Sequence, residues 1–415
     1  MFCLTNKIRC LISAFIVVIL VLAFLVGRTF VVNRDVANEK FDAFLDSATF
    51  THLTISTADG VILYDNAGFA EDSLTRMATF HLIGDKNDGI VNSMIATKRS
   101  ATVVKDDHQY FQQQNVELTI DASLQINAYT TLKNQPYSES GCIIVLDYKN
   151  GEVKAMTSIP SLDVMNTDYI PDGTYLNKAL YSYVPGSVFK AVSVATVLEL
   201  HPEAKNFTYN CNAQNSYVSC SYAHGTVSLA QALEKSCNCA VSQLVSTYIT
   251  SEELTDFIEM VGLTSKEQLS DMLCNQKGNL NAEADLKWTA NGQGETLLTP
   301  ISIARYYGLL ANDGVCVDPH ILADTETKKE QLVSVETSRF ITSSLEGVIG
   351  DRLSCNAFGK TGTAQLSDTQ SHSWFVCSLI DEQAPTYTVL CFLEQGGTSL
   401  NAKEVILDFI NDCIL

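Results

Sequence analysis

Five apolar, strand-like runs constrain the fold more than any other feature, because they fall in two groups far apart in the chain. Cys142-Ile-Ile-Val-Leu-Asp147, a Tyr-Lys-Asn-Gly turn and Glu152 to Ile159 read as a β-hairpin. Runs around Phe358 to Leu366, from Trp374 to Ile380 and from Thr386 to Leu393 read as three more strands, with a turn at Asp381 to Pro385. Residues 187 to about 350, between the groups, are mostly helical in pattern. Asp121 is placed to cap a helix through Leu124, Ala128 and Leu132, and Ser399 or Asn401 to cap a last helix through Val405, Ile406, Phe409 and Ile410. The order helix, two strands, helical insert, three strands, helix predicts an α+β domain with helices packed on an antiparallel sheet.

The rest of the chain sets the context. It has 415 residues, with 47 acidic and 27 basic side chains, for a net charge of -20. A hydrophobic content of 46% excludes a disordered chain, and the acidic balance argues against a nucleic-acid partner. Leu11 to Gly27 is apolar throughout apart from Ser13, near the lower length limit for a membrane span. A cleaved signal peptide is the rival. With no small-x-small site just after Val26, an uncleaved anchor is expected. Lys7 and Arg9 face Arg28 and Arg34 across it, so an inside location for residues 1–10 is a default. Residues 28–117 carry a hairpin signal around Asp59-Gly60 and no catalytic constellation, and read as a small pedestal module. The main domain is expected over 118–415. Thirteen cysteines lack C-x-x-C spacing, so neither zinc nor any other metal is expected. Cys211 and Cys220 look like a loop-closing pair, and their disulfide state stays open. The others, Cys237 included, read as small buried apolar residues.

Three short motifs carry chemistry. In Tyr183-Val-Pro-Gly-Ser-Val-Phe-Lys190, Pro185 and Gly186 form the entrance to a helix that is apolar almost all round, hence buried. Ser187 and Lys190, three residues apart, share a face. A neutral lysine beside a serine can take its proton and create a nucleophile, and burial or a nearby cation would lower the lysine pKa enough. A capping serine with a snorkelling lysine is the plain alternative. Ser236-Cys237-Asn238 sits where helix gives way to loop, so its hydroxyl and amide can face one cleft. Gly359-Lys360-Thr361-Gly362-Thr363-Ala364 falls on an expected strand, where glycine permits a ligand close to the backbone. Lys360 could meet the Ser187/Lys190 pair, while Thr361 and Thr363 point away from Gly362. A phosphate-binding loop fails here, because Ser354 stands where the first glycine belongs and no helix follows.

Each motif is weak alone, but S-x-x-K, S-x-N and K-T-G in this order form the active-serine signature of penicillin-interacting enzymes. The chain resembles the class B penicillin-binding proteins, membrane-anchored peptidoglycan D,D-transpeptidases, over about 118–415. Leu118-Thr-Ile-Asp121 with Gln125, Asn177-Lys-Ala-Leu180, His224-Gly225, Gly292-Gln-Gly294, Thr299-Pro300, Ala311-Asn312 and His372-Ser-Trp-Phe375 also fit. The resemblance implies a five-stranded antiparallel sheet with a helical subdomain. It makes Ser187 the nucleophile and Lys190 its base, kept neutral with help from Lys360. Ser236 would relay a proton, and Asn238 would hold the substrate backbone. Lys360, Thr361 and Thr363 would bind the terminal carboxylate, and the N–H groups of Ser187 and Thr363 would form the oxyanion hole. Gly362 and Trp374 are expected to line the substrate, with a core role the alternative for Trp374. The implied substrates are stem peptides ending in D-Ala-D-Ala, the inhibitors β-lactams, and the partner an integral-membrane glycan polymerase, with no cofactor. The implied location is the cell membrane, with the catalytic domain outside. A β-lactam sensor, a scaffold or a β-lactamase are the competing readings. The pedestal, about 90 residues, is short for this family.

Overall fold

A computed structural model describes residues 53–65, 67–85, 89–90, 93–94, 114–215, 218–266, 269–270, 273–283, 285–367 and 369–415. The expected anchor, 11–27, lies outside the described residues. Among those described, no helix is long and apolar enough to cross a membrane.

The first unit is a small sheet of order β3-β2-β1-β4, formed by β1 (Leu53–Ser56), β2 (Ile62–Asp65), β3 (Gly68–Phe69) and β4 (Gln114–Glu117). The hairpin turns at Asp59-Gly60, where Gly60 takes φ +83°. Helix α1 (Ser73–Ile83) follows β3, capped by the Asp72 carboxylate, which accepts from the Thr75 N–H at 2.7 Å. Helix α2 (Ala122–Asn134) starts at Asp121, whose carboxylate accepts from the Leu124 N–H as the sequence suggests.

The main sheet takes its strands from both groups. Strands β5 (Gly141–Asp147) and β6 (Val153–Ile159) form the early hairpin. The insert then supplies α3 (Lys190–Leu200), β7 (Thr208–Cys211), β8 (Gly225–Ser228), α4 (Leu229–Glu234), α5 (Asn238–Tyr248), α6 (Ser251–Met260), α7 (Leu286–Thr289), α8 (Pro300–Ala311), β9 (Val315–Val317), β10 (Lys329–Gln331) and α9 (Val335–Leu345). Strands β11 (Ala357–Gln365), β12 (Ser371–Leu379) and β13 (Tyr387–Leu393) complete an antiparallel sheet of order β11-β12-β13-β5-β6. The last helix, α10 (Ser399–Cys413), starts one residue earlier than a Ser399 cap would put it. Thr398 holds the cap position, and its side chain makes no capping bond, so the cap signals at Ser399 and Asn401 fall inside the helix.

Both faces of this sheet are buried, which explains why its strands read as continuous apolar runs rather than alternating ones. Ile143, Val145, Val389 and Cys391 face α2 and α10, while Ile144, Leu390, Phe392 and Trp374 face the helical side that includes α8. Edge strand β11 therefore borders both the sheet core and the insert.

Gln125 joins three elements. Its side chain is fully buried, its Nε2 donates to the carbonyls of Ala78 (2.6 Å) and Met156 (2.9 Å), and its Oε1 accepts from the Met156 N–H at 2.8 Å. It thereby ties α2 to both α1 and β6, and Arg76 adds a two-pronged ion pair with Asp163 beyond β6. Gln125→Leu would keep the bulk but strand the buried Met156 N–H and C=O, at roughly 1–3 kcal/mol each. Chemical denaturation of this variant is expected to show a loss of roughly 3 kcal/mol or more.

Candidate active site

Two backbone turns meet at strand β11. The first carries Ser187. Residues Gly186–Phe189 form a single 3-10 turn that runs into α3, so Ser187 stands just ahead of the helix with Lys190 at its first position. Gly186 has φ +59°, and a Cβ there would lie 2.6 Å from the Thr363 carbonyl oxygen. Only glycine lets the nucleophile turn approach β11 this closely. The turn is also held from below, because the Tyr307 hydroxyl donates to the Val188 carbonyl at 2.8 Å.

The second turn carries Ser236. Helix α4 ends with the Ser236 N–H on the Leu233 carbonyl and the Cys237 N–H on the Ala232 carbonyl. This is the bonding of a Schellman cap, whose left-handed residue is usually glycine. Here that residue is Ser236, at φ +56°. A non-glycine residue in this region costs about 1–2 kcal/mol, a cost often found where a side chain has work to do. Cys237 then caps α5, and Asn238 opens it.

The third element is β11 itself. Nζ of Lys190 lies 2.5 Å from Oγ of Ser187. Nζ of Lys360 donates to Oγ of Ser236 at 3.0 Å and to the Thr361 carbonyl at 3.1 Å. Both lysines are fully buried. Burial draws the Lys190 amine from its ordinary value of 10.5 down to about 7. Burial first, and then the nearby Lys190, push Lys360 well below the ordinary lysine value. The lysine beside Ser187 thus resides near its neutral form at physiological pH, as a general base must.

These groups open onto a cleft of about 600 Å³ lined by Ser187, Ser236, Asn238, Thr361 and Thr363, among others. Lys235 also lines it, and among the described residues no carboxylate does. In a chain with 47 acidic groups, that suits an anionic ligand. The Asn238 amide donates to the Ser219 carbonyl at 2.8 Å, which fixes its orientation.

Two sequence expectations require correction. Trp374 has no exposed surface, donates from Nε1 to the Val184 carbonyl at 3.1 Å, and packs against Phe392 with the rings tilted by 43°, so it supports the nucleophile turn from the core. Gly362 also lies on the buried face, where a Cβ would meet the Pro185 carbonyl at 2.9 Å and Val188 at 3.0 Å. Register explains both: Gly362 pairs with Trp374 in β11 and β12, and paired residues share a face, opposite Thr361 and Thr363. Several cleft residues escaped the sequence reading. Gln293 donates to the Thr363 carbonyl at 3.3 Å, and the Ser399 N–H donates to the Thr363 hydroxyl at 3.1 Å. The Gly-Gln-Gly pattern around Gln293 was a visible signal, whereas Ser399 had none.

Two cleft serines, each hydrogen-bonded to a buried lysine, on an antiparallel sheet flanked by helices, define an active-serine acyl-transfer site. The transpeptidase domain of penicillin binding proteins matches residues 141–411, and the chain belongs to that family. It is 25% identical over 342 residues to the peptidoglycan D,D-transpeptidase PbpA of Mycolicibacterium smegmatis, covering 69% of each chain. It is 28% identical over 295 residues to the stage V sporulation protein D of Bacillus subtilis, covering 60% of this chain but 44% of that one. The fold is shared with penicillin-binding protein A from Mycobacterium tuberculosis at a TM-score of 0.71 and 20% identity, over 89% of this chain and all of that one, in a structure described as a ceftriaxone acyl-enzyme complex.

The unusual backbone at Ser236 gives a specific expectation. Ser236→Gly and Ser236→Ala both remove the hydroxyl, but only glycine relieves the left-handed strain. Thermal unfolding should find the glycine variant more stable than the alanine variant by roughly 1 kcal/mol. Both should acylate more slowly than the parent chain.

Proposed function

We infer that the chain is a peptidoglycan D,D-transpeptidase that works through an acyl-Ser187 intermediate and is acylated by β-lactams. The observation that carries this reading is the serine hydroxyl 2.5 Å from a fully buried, near-neutral lysine. Lys190 accepts the Ser187 proton as Oγ attacks the carbonyl of the penultimate D-alanine. The amide bond to the last D-alanine breaks as Ser236 gives its proton to the departing amine and is reprotonated by the proton that Lys190 took from Ser187. Thr361 and Thr363 hold the terminal carboxylate, with Lys360 supplying positive potential through Ser236. Asn238 holds the peptide backbone. The N–H groups of Ser187 and Thr363 stabilise the oxyanion, each such donor being worth roughly 3 kcal/mol of barrier. An amine from a neighbouring stem then attacks the ester, forms the crosslink and returns the proton to Ser187. A β-lactam opens on the same serine and leaves no amine to depart.

Hydrolysis of that adduct needs a group that activates water, and the lack of a carboxylate among the described cleft residues disfavours a β-lactamase. The poised serine–lysine pair disfavours a scaffold. Residues 11–27, an unbroken apolar run apart from Ser13, support a single membrane anchor with the catalytic domain outside. The family resemblance supports an integral-membrane glycan polymerase as partner.

Intact mass after penicillin treatment should show one stable adduct per chain, absent from Ser187→Ala, and a membrane-impermeant penicillin should label the protein on intact cells. Because protonated Lys190 cannot act as base, the acylation rate should fall as pH drops through about 7, roughly tenfold per unit below it. Absence of an adduct on folded parent protein, or a rate flat from pH 5 to 8, contradicts the assignment.

A further inference from the structure

Four potential metal ligands converge directly behind the S-C-N turn. The Sγ atoms of Cys211, Cys220 and Cys237 and a ring nitrogen of His224 all lie within 4.8 Å of one another. The fold assembles them from three places. In the β7–β8 hairpin, Cys211 pairs with Gly225, the neighbour of His224. The loop between these strands folds back on itself, with Gln214 bridged to Ser219 and the Cys220 N–H on the Ala213 carbonyl, so that Cys220 returns beside Cys211. Cys237 comes from the turn between α4 and α5, flanked by Ser236 and Asn238.

Three of the six separations match the edges of a coordination tetrahedron, and the other three stay within 4.8 Å. Zinc bound at about 2.3 Å to sulfur and about 2.0–2.1 Å to nitrogen requires sulfur–sulfur edges of about 3.8 Å and sulfur–nitrogen edges of about 3.5 Å. Cys211 and Cys220 are 3.8 Å apart, Cys220 and Cys237 are 3.8 Å apart, and Cys211 Sγ is 3.4 Å from His224 Nδ1. None of these sulfurs is joined in a disulfide. A fourth sulfur, Cys239, is 3.6 Å from Cys220 but points to the Val218 carbonyl. Val218, Val227, Ala232 and Ala240 surround the cluster with apolar side chains, and such a shell suits a closed structural site.

We propose that Cys211, Cys220, His224 and Cys237 bind a zinc ion that fixes the S-C-N wall of the cleft. Three thiols and one imidazole make the Cys₃His donor set typical of closed structural zinc, and binding releases the thiol protons to solvent. The absence of C-x-x-C spacing led the sequence reading away from metal, because these ligands are separated along the chain and meet only through the hairpin and the turn. The metal would clamp the 212–224 loop to the turn that holds Ser236 in its left-handed conformation. The same loop contributes Ser219, Cys220, Ser221, Tyr222 and His224 to the cleft lining. Metal binding stands apart from the transpeptidase reading; its effect on acylation rests on that reading.

The test is zinc content of the full chain, purified under reducing conditions and measured by elemental mass spectrometry, with cobalt(II) as an optical probe. One zinc per chain is expected, and cobalt should give the thiolate charge-transfer and tetrahedral ligand-field bands of a single site. Cys211→Ser and His224→Ala should lose the metal, whereas Cys355→Ser, away from the cluster, should retain it. Where the ligand variants fail to fold, stripping zinc from the parent chain with a chelator supplies the second readout. Penicillin acylation should slow about tenfold or more and recover when zinc is returned. Substoichiometric zinc in fully reduced chain, full zinc content in a folded Cys211→Ser/His224→Ala double variant, or a Cys211–Cys220 disulfide in freshly isolated protein would overturn the site. Unchanged acylation after zinc removal would overturn its positioning role. Stoichiometric zinc with no acylation at all would leave the site standing and remove the transpeptidase reading instead.

Discussion

Two lysine amines buried without a carboxylate between them are the constraint on which the rest of the site depends. Lys190 and Lys360 have no exposed surface, and their hydrogen-bonding partners are two serine hydroxyls and a backbone carbonyl. A charged ammonium in such surroundings is costly, and a second nearby would compound the cost, so the pair is driven toward neutrality. That turns an ordinary cation into a base. It also explains why the surrounding protein is so heavily built: the lysines stay dry only while β11, α3 and the S-C-N turn remain in register.

The fold meets that demand with backbone that a free chain would avoid. Gly186 and Ser236 both sit in the left-handed region, one to bring the nucleophile turn against β11 and the other to aim a hydroxyl at Lys360. Trp374 and Tyr307 brace the first turn from beneath, each through a hydrogen bond to a carbonyl of the nucleophile segment. Among the described residues, no aromatic side chain donates a hydrogen bond to a carbonyl of the second turn. What lies behind it is a set of thiols and a histidine, which is why a bound metal is a natural brace there.

Much of this was legible in sequence. The five apolar runs became the five strands because a sheet buried on both faces leaves a continuous hydrophobic record, and Asp121 capped α2 as its type and position suggest. The order of the three motifs brought Ser187, Ser236 and Asn238 to one cleft, with Lys190 and Lys360 buried beside the two serines. Two failures share one cause, which is that sequence carries no register. Trp374 and Gly362 could be placed near the site, but only strand pairing shows that they lie on its buried side. Thr398 rather than Ser399 holds the cap position of α10, since several polar residues in a row offer equivalent start signals. The proposed cluster at Cys211, Cys220, His224 and Cys237 has no spacing signature, because a hairpin and an inter-helix turn assemble it.

The central claim is that burial, and not a special partner, makes Lys190 a base. It is tested most directly by carbon-13 NMR of ε-labelled lysine in the full chain, with the Lys190 signal assigned through a Lys190→Arg variant and followed across pH. A midpoint near 7 is predicted. A midpoint near the ordinary lysine value of about 10.4 would contradict the account, because Ser187 would then face a permanent ammonium and lack a base at neutral pH.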